Sequence, residues 1–287
     1  MYIFPLKGGF ALPYRNLLDL HIHSDNSKDA DHSVTLICEK AIEKGIRAIA
    51  ITDHCECLEY EEYGHSITCR QSAFEARKAS LVFEGQLVVT SGVELGNPVR
   101  NTEAVDDVMK NNFDYVVASV HRIRGKKKSF RHLDYTREAN RPEFLMPRYF
   151  DDVIETVEWN DFDSLAHLTY PIRYYPDELL AQFKLSGCEE QIRHILKTLA
   201  ANGKALEINT GSKEYKTADI AGCTHPYFEL VKLFKELGGE YVTVGSDAHN
   251  ANDVGSGMEK AMRMAEEAGF KFITLYQRRT PLPIRIE

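Results

Sequence analysis

The sequence predicts an α/β protein in which seven parallel strands and their covering helices form a TIM-like (β/α)7 barrel. Three observations carry this. Short β-rich runs alternate with helix-length amphipathic segments, the pattern of βα units around a parallel sheet. The length of 287 residues is close to the roughly 250 of a single αβ barrel. No repeat, low-complexity tract or Pro/Gly/Ser-rich linker divides the chain, so residues 1–287 read as one domain.

In chain order, strands are expected at Leu17–Ser24, Ala48–His54, Leu87–Gly96, Tyr115–His121, Ser164–Leu168, Ala205–Thr210 and Tyr241–His249. Between them fall helical segments at Thr35–Lys44, Pro147–Trp159, Glu189–Ala201, Pro226–Leu237 and Met258–Ala268. Four of these are followed by Gly45, Gly203, Gly238 and Gly269, the residue type that stops a helix in a left-handed turn. After Pro147, the residues Phe150, Val153, Ile154 and Val157 recur at three- and four-residue spacing, which gives one stripe to face a sheet. A last strand-like piece, Lys271–Tyr276, would close or cap the barrel. The least regular stretch, Arg122–Met146, carries Arg122, Arg124, Lys126, Lys127, Lys128 and Arg131. It reads as a long loop after a strand, either solvated charge or a flap over an anionic substrate.

Charge and composition narrow the function. Lys plus Arg number 35 against 43 Asp plus Glu, and the net charge of −8 argues against a general binder of nucleic acid or anionic membrane. Apolar runs stop short of the roughly 18 residues of a membrane span, and Met1–Phe10 lacks the layout of a signal peptide. The cysteines at 38, 55, 57, 69, 188 and 223 form no CxxC pair, which fits reduced thiols and a cytoplasmic protein.

The chemistry lies in what ends the strands. His21 and His23 form H-I-H, and alternation along a strand puts both on one face. Asp53 and His54 end the second run, Glu94 the third, His121 the fourth and His167 the fifth, while Asp247 and His249 end the seventh. In a parallel barrel these ends converge on one mouth. Six imidazoles and several carboxylates packed there without a cation would be costly, and bound divalent ions would offset that cost. His32, His65, His194 and His225 have no partner pattern and read as surface or capping residues; Cys55 and Cys57 are left out of the metal shell.

These motifs resemble the polymerase and histidinol phosphatase (PHP) superfamily. H-I-H, S-K-D beyond it, I-T-D-H, G-V-E-L, S-V-H, A-H-L and S-D-A-H occur here in that order. Within the superfamily, K-A-L-E-I-N-T and Y-P-I-R look most like the stand-alone histidinol-phosphate phosphatases. The resemblance implies a distorted seven-stranded barrel with two or three divalent ions, zinc, manganese or iron. It implies one metal on His21, His23, Glu94 and Asp247, a second on Glu94, His121 and His167, and a third on Asp29, His54 and His249. Asp25 and Asp31 lie close to Asp29, and Asp53 would orient a ligand rather than be one. Glu94, Asp247 and His249 are the catalytic residues of this reading.

Three divalent ions, three ligand carboxylates and a bridging hydroxide leave about +2, which suits a phosphomonoester dianion. The expected function is therefore hydrolysis of a small phosphorylated substrate, L-histidinol phosphate, by in-line attack of a metal-bridging hydroxide. Arg173 and Lys213 are the candidate substrate contacts, and Glu207 or a nearby Tyr would receive the cationic end. A phosphoesterase or nuclease acting on nucleotides or nucleic-acid ends, and a non-catalytic metal-bound interaction module, are the alternatives.

Overall fold

Parallel strands covered on both sides need apolar residues on both faces, and the strands here are buried almost throughout. They are β1 (Leu18–Ile22), β2 (Ala48–Ile51), β3 (His54–Glu56), β4 (Val88–Gly96), β5 (Tyr115–Ser119), β6 (Ser164–Leu165), β7 (Ala205–Asn209) and β8 (Val242–Gly245). The structure is a computed structural model that describes residues 14–180, 185–211 and 226–287. The strands pair in parallel in the order β1-β2-β4-β5-β6-β7-β8, with β3 added beside β4. The ring closes between β8 and β1 through the parallel bridge Ile22↔Ala248 and the bonds His23 N–H to Ala248 O, 2.9 Å, and Asp247 N–H to His21 O, 2.8 Å.

The strands are shorter than the sequence suggests because the polar residues at their ends leave the ladder. The expected run Ala48–His54 is broken after Ile51: Thr52 Oγ1 accepts from Ile22 N, 3.1 Å, and the buried Asp53 carboxylate takes over local pairing. Pairing resumes with His54 opposite Glu94.

Helices cover the outside: α1 (Val34–Glu43), α2 (His65–Val82), α3 (Thr102–Val108), α4 (Pro142–Trp159), α5 (Asp177–Leu180), α6 (Glu189–Ala201), α7 (Pro226–Glu236) and α8 (Met258–Glu267). Ser33 caps α1 by accepting from Leu36 N. Gly45, Gly203, Gly238 and Gly269 adopt φ of 75°, 61°, 94° and 95°, as expected of helix stops. The helices depart from the sequence reading in two ways: α4 begins at Pro142 and carries Pro147 within it, and the long α2 and the short α3 and α5 have no counterpart there.

The expected strand Lys271–Tyr276 caps the barrel and does not close it. It is β9 (Phe272–Gln277), paired antiparallel with β10 (Thr280–Arg285) in a separate hairpin. Tyr276 stacks on Tyr115 with centroids 5.2 Å apart, and Arg279 Nε reaches both carboxylate oxygens of Asp163 at 2.7 and 2.6 Å. Tyr115 begins β5 and Asp163 precedes β6, so the hairpin covers the end opposite the polar mouth.

Candidate metal centre

The strand ends bring together all nine residues expected to hold metal. His21 lies in β1 with His23 just beyond it; His54 opens β3; Glu94 lies near the end of β4; His121, His167, Asp247 and His249 follow the ends of β5, β6 and β8. Asp29 comes from the loop after β1. Asp247 holds φ at 56°, a left-handed conformation that Asp tolerates and that occurs where a site imposes it.

Three groups of donor atoms form. In the first, His21 Nε2 is 3.5 Å from Glu94 Oε2 and 3.7 Å from Asp247 Oδ1, and His23 Nε2 is 3.7 and 3.2 Å from the same two atoms. In the second, Glu94 Oε1 is 2.8 Å from His167 Nε2 and 3.1 Å from His121 Nε2, with the two nitrogens 3.5 Å apart. In the third, Asp29 stands 3.6 Å from both His54 Nε2 and His249 Nε2, themselves 3.3 Å apart. His54 Nδ1 also lies 2.8 Å from Glu94 Oε2, which joins the third group to the first. Ligands at about 2.1 Å around a tetrahedral ion are about 3.4 Å from one another, so each group is spaced as a cation would require.

The polar accounting agrees. Among the described residues, the buried atoms His21 Nε2, His23 Nε2 and Glu94 Oε2 meet no hydrogen-bond partner, a costly state that a shared cation relieves. Burial alone would lower the His21 pKa, yet the carboxylates of Glu207, Glu94 and Asp247 hold it well above the ordinary histidine value. Burial, then the neighbouring His54 and His249, push His23 well below that value. Against its burial, His54 is pushed up to about 9, chiefly by Glu94. Burial would raise Glu94, but His121, His21 and His54 hold it well below the usual carboxylate range.

Supporting residues fix the geometry. The Glu207 carboxylate accepts from His21 Nδ1 at 2.6 Å and from the His167 backbone N–H at 2.8 Å. Its carboxylate is buried against these groups, so it is not the partner for a substrate's cationic end that the sequence suggested. Gly245 makes the contact possible: a Cβ there would stand 2.5 Å from Glu207 Oε1 and overlap the His21 Cβ. Asp53, expected to orient a ligand, accepts from serines: Ser24 N at 2.7 Å, Ser24 Oγ at 2.7 Å, Ser27 Oγ at 2.6 Å and Ser72 Oγ at 2.6 Å, and Ser27 Oγ in turn lies 3.4 Å from His23 Nδ1 and accepts the His54 N–H at 3.0 Å. Glu56, which sequence reasoning did not single out, meets His121 Nδ1 at 2.5 Å.

The groups open into a cavity of about 1020 Å3. Lys127, Lys128, Arg131 and His132 of the basic loop line it, as do Tyr170 and Tyr174. Arg122 also lines it, paired with Glu59 at the cavity wall, whereas Arg124 is engaged elsewhere with Glu155. Arg173 lines the cavity with Nη1 2.8 Å from Asp247 Oδ2, while its buried Nε meets no partner among the described residues. Lys213 and His225 lie outside the described residues. Of the surface or capping role expected of His65, the surface part does not hold: it is buried at the start of α2, lines the cavity and accepts the Glu56 N–H at 3.2 Å. Asp25 and Asp31 are exposed and belong to none of the three donor groups. None of the described helices is long and apolar enough to cross a membrane.

A family model described as a PHP domain matches residues 19–211. A probable histidinol-phosphatase of Thermotoga maritima is 30% identical over 259 residues, covering 90% of this chain and 95% of the relative. A histidinol-phosphatase of Lactococcus lactis is 29% identical over 260 residues, 88% of this chain and 91% of the relative. A crystal structure of histidinol phosphate phosphatase from Lactococcus lactis, complexed with zinc, L-histidinol and phosphate, matches with a TM-score of 0.72 at 25% identity. That match covers 93% of this chain and 99% of the other.

Proposed function

Because the chain belongs to the PHP family, we propose that it is a metal-dependent phosphomonoesterase that hydrolyses L-histidinol phosphate to L-histidinol and phosphate. The observation that carries this reading is the convergence of nine ligand-type residues on one barrel mouth, with donor atoms 2.8–3.7 Å apart. His21, His23, Glu94 and Asp247 would hold one ion, Glu94, His121 and His167 a second, and Asp29, His54 and His249 a third. Divalent ions held there would lower the pKa of a water and neutralise phosphoryl oxygens during in-line displacement. Imidazole and carboxylate donors suit zinc, manganese or iron, and the similar Lactococcus lactis structure holds zinc.

The remaining parts follow from the chain's own groups. Glu94 serves two of the donor groups with its two oxygens, so its charge fixes their spacing. Arg173 lines the cavity beside Asp247 and would meet the substrate's phosphate with its guanidinium, as would Lys213. Tyr63, Tyr170 and Tyr174 line the cavity and offer aromatic faces to the substrate's imidazole. Residues 1–287 would act as one barrel domain in the cytoplasm.

Phosphate release from L-histidinol phosphate, nucleoside monophosphates and a short oligonucleotide tests the substrate, with protein loaded separately with Mn²⁺, Zn²⁺ or Fe²⁺. Turnover of histidinol phosphate orders of magnitude above the others is the expected result. Preference for nucleotides or strand ends would overturn the substrate assignment, and inactivity with every metal would overturn the enzyme.

A further inference from the structure

Two of the six imidazoles at the mouth are held by a glutamate that passes over a strand glycine. For His21 the pair is Glu207 and Gly245. The second pair lies on the other side of the site. β3 runs beside β4 with Glu56 opposite Gly96, and Gly96 in turn lies opposite Ser119 on β5. Glu56 therefore reaches His121 across an intervening strand. That crossing is open only because position 96 has no side chain: a Cβ there would overlap Glu56 Oε2 and stand 2.8 Å from its Cδ.

We propose that Glu56 is a positioning residue for His121: its carboxylate crosses Gly96 to accept the Nδ1–H hydrogen bond, which fixes the tautomer and turns Nε2 toward Glu94 and His167. The geometry closes on both sides of the ring. Nδ1 is 2.5 Å from Glu56 Oε1, while Nε2 is 3.1 Å from Glu94 Oε1 and 3.5 Å from His167 Nε2. Tyr170 holds the ring face, with centroids 4.8 Å apart. Glu56 is itself fixed, because its backbone N–H donates to His65 Nε2 at 3.2 Å. The remaining imidazoles are held differently: His54 Nδ1 lies 2.8 Å from Glu94, itself one of the nine, His23 Nδ1 is 3.4 Å from Ser27 Oγ, His249 Nδ1 meets the carbonyl of Asp247 at 2.9 Å, and the buried His167 Nδ1 meets no hydrogen-bond partner among the described residues. A carboxylate on the far nitrogen orients an imidazole ligand and raises its basicity, so Glu56 governs the group formed by Glu94, His121 and His167. Gly96 acts through Glu56 and has no role of its own.

This inference rests on the metal-centre reading above, and a double-mutant cycle separates the two. Wild type, E56A, G96A and E56A/G96A are equilibrated with zinc against a competing chelator, and the affinity of each bound equivalent is measured. The absorption spectrum of the cobalt-substituted proteins and kcat/KM are recorded alongside. E56A and G96A should each weaken one equivalent by about 10–100-fold and alter the cobalt spectrum. E56Q, which keeps an acceptor but loses the charge, should fall between them and wild type. The decisive arm is the double variant, which should match E56A, because once the Glu56 carboxylate is gone nothing remains for a Cβ at position 96 to displace. If G96A does not fold, the comparison of E56A with the double variant still stands. Unchanged affinity in E56A, or a further loss on adding G96A to it, overturns the role of Glu56 and leaves the metal centre in place. A wild-type chain that takes up no divalent ion overturns the metal centre itself.

Discussion

Replacing Arg279 with Ala should weaken the capped end of the barrel while leaving the mouth in place. Asp163 is the joint there. Its N–H donates to Val116 O at 2.8 Å, and its carbonyl accepts from Ala205 N at 2.9 Å and Tyr276 Oη at 3.2 Å. Its carboxylate is 6% exposed, accepts the Val116 N–H at 2.8 Å and has Arg279 as its ion-pair partner among the described residues. The variant strands that charge, which costs about 3–5 kcal/mol when a buried pair loses one member. Arg279 is 27% exposed, so water reaches part of the pair and the lower end, about 3 kcal/mol, is expected. For a chain of this size that is about 6 °C in Tm. The pH dependence gives the mechanism. Burial raises the Asp163 pKa in the native fold, and Arg279 pulls it down; without Arg279 it climbs further above the unfolded value. The penalty thus belongs to the ionised carboxylate: it is full above the variant's native pKa and fades as pH falls toward about 4. Urea unfolding of both proteins at pH 8 and pH 5 measures it. Equal midpoints at pH 8, or a gap that widens toward pH 5, would refute the reasoning.

Three further outcomes are expected. Glu94→Ala should lose bound metal and activity together, by more than the roughly 100-fold typical of outer-shell changes, and full turnover by this variant would sink the shared-ligand role. Replacing Arg173 and Lys213 together with Ala should raise KM for the phosphoester, and retained affinity would argue against both as phosphate contacts. Removing metal with a chelator should lower Tm by about 8 °C, since an ion present at about 1,000 times its Kd contributes about 4 kcal/mol; an unmoved transition would mean that the mouth folds without ions.

The parts of the site written as local pattern were legible in the sequence. H-I-H puts a pair of side chains on one face by strand alternation, D-A-H follows the end of β8 with Asp247 in a left-handed conformation, and a barrel sends every strand end to one mouth, so the ligand set could be named before its distances. Asp29 had to await the loop that carries it, with Asp25 and Asp31 equally near in sequence. Glu56 gave no local signal: it sits between two cysteines, and its partner His121 is 65 residues away. A strand glycine opposite a glutamate was the one available clue. Glu207 was misassigned because an inward-facing carboxylate near the mouth looks the same in sequence whether it meets a substrate or a ligand's far nitrogen.

Helix α2 was missed for a different reason. Its buried face is small, with Cys69, Ser72, Ala73, Ala76 and Ala79, while Ile67, Phe74 and Leu81 point outward at 63%, 59% and 75% exposure. Hydrophobic periodicity therefore marked the wrong face. In α4 the expected start at Pro147 fell one turn late, because Pro142 occupies the first helical turn and Pro147 lies inside the helix.

The central claim is that ions at this mouth make the chain a phosphatase. The most direct measurement follows bound metal and phosphate release from L-histidinol phosphate in one sample, as metal-free protein is titrated with Zn²⁺, Mn²⁺ or Fe²⁺. The account predicts no turnover at the start and a rise that tracks uptake of two or three equivalents. Turnover that is undiminished in the metal-free protein, with chelator present, would contradict it.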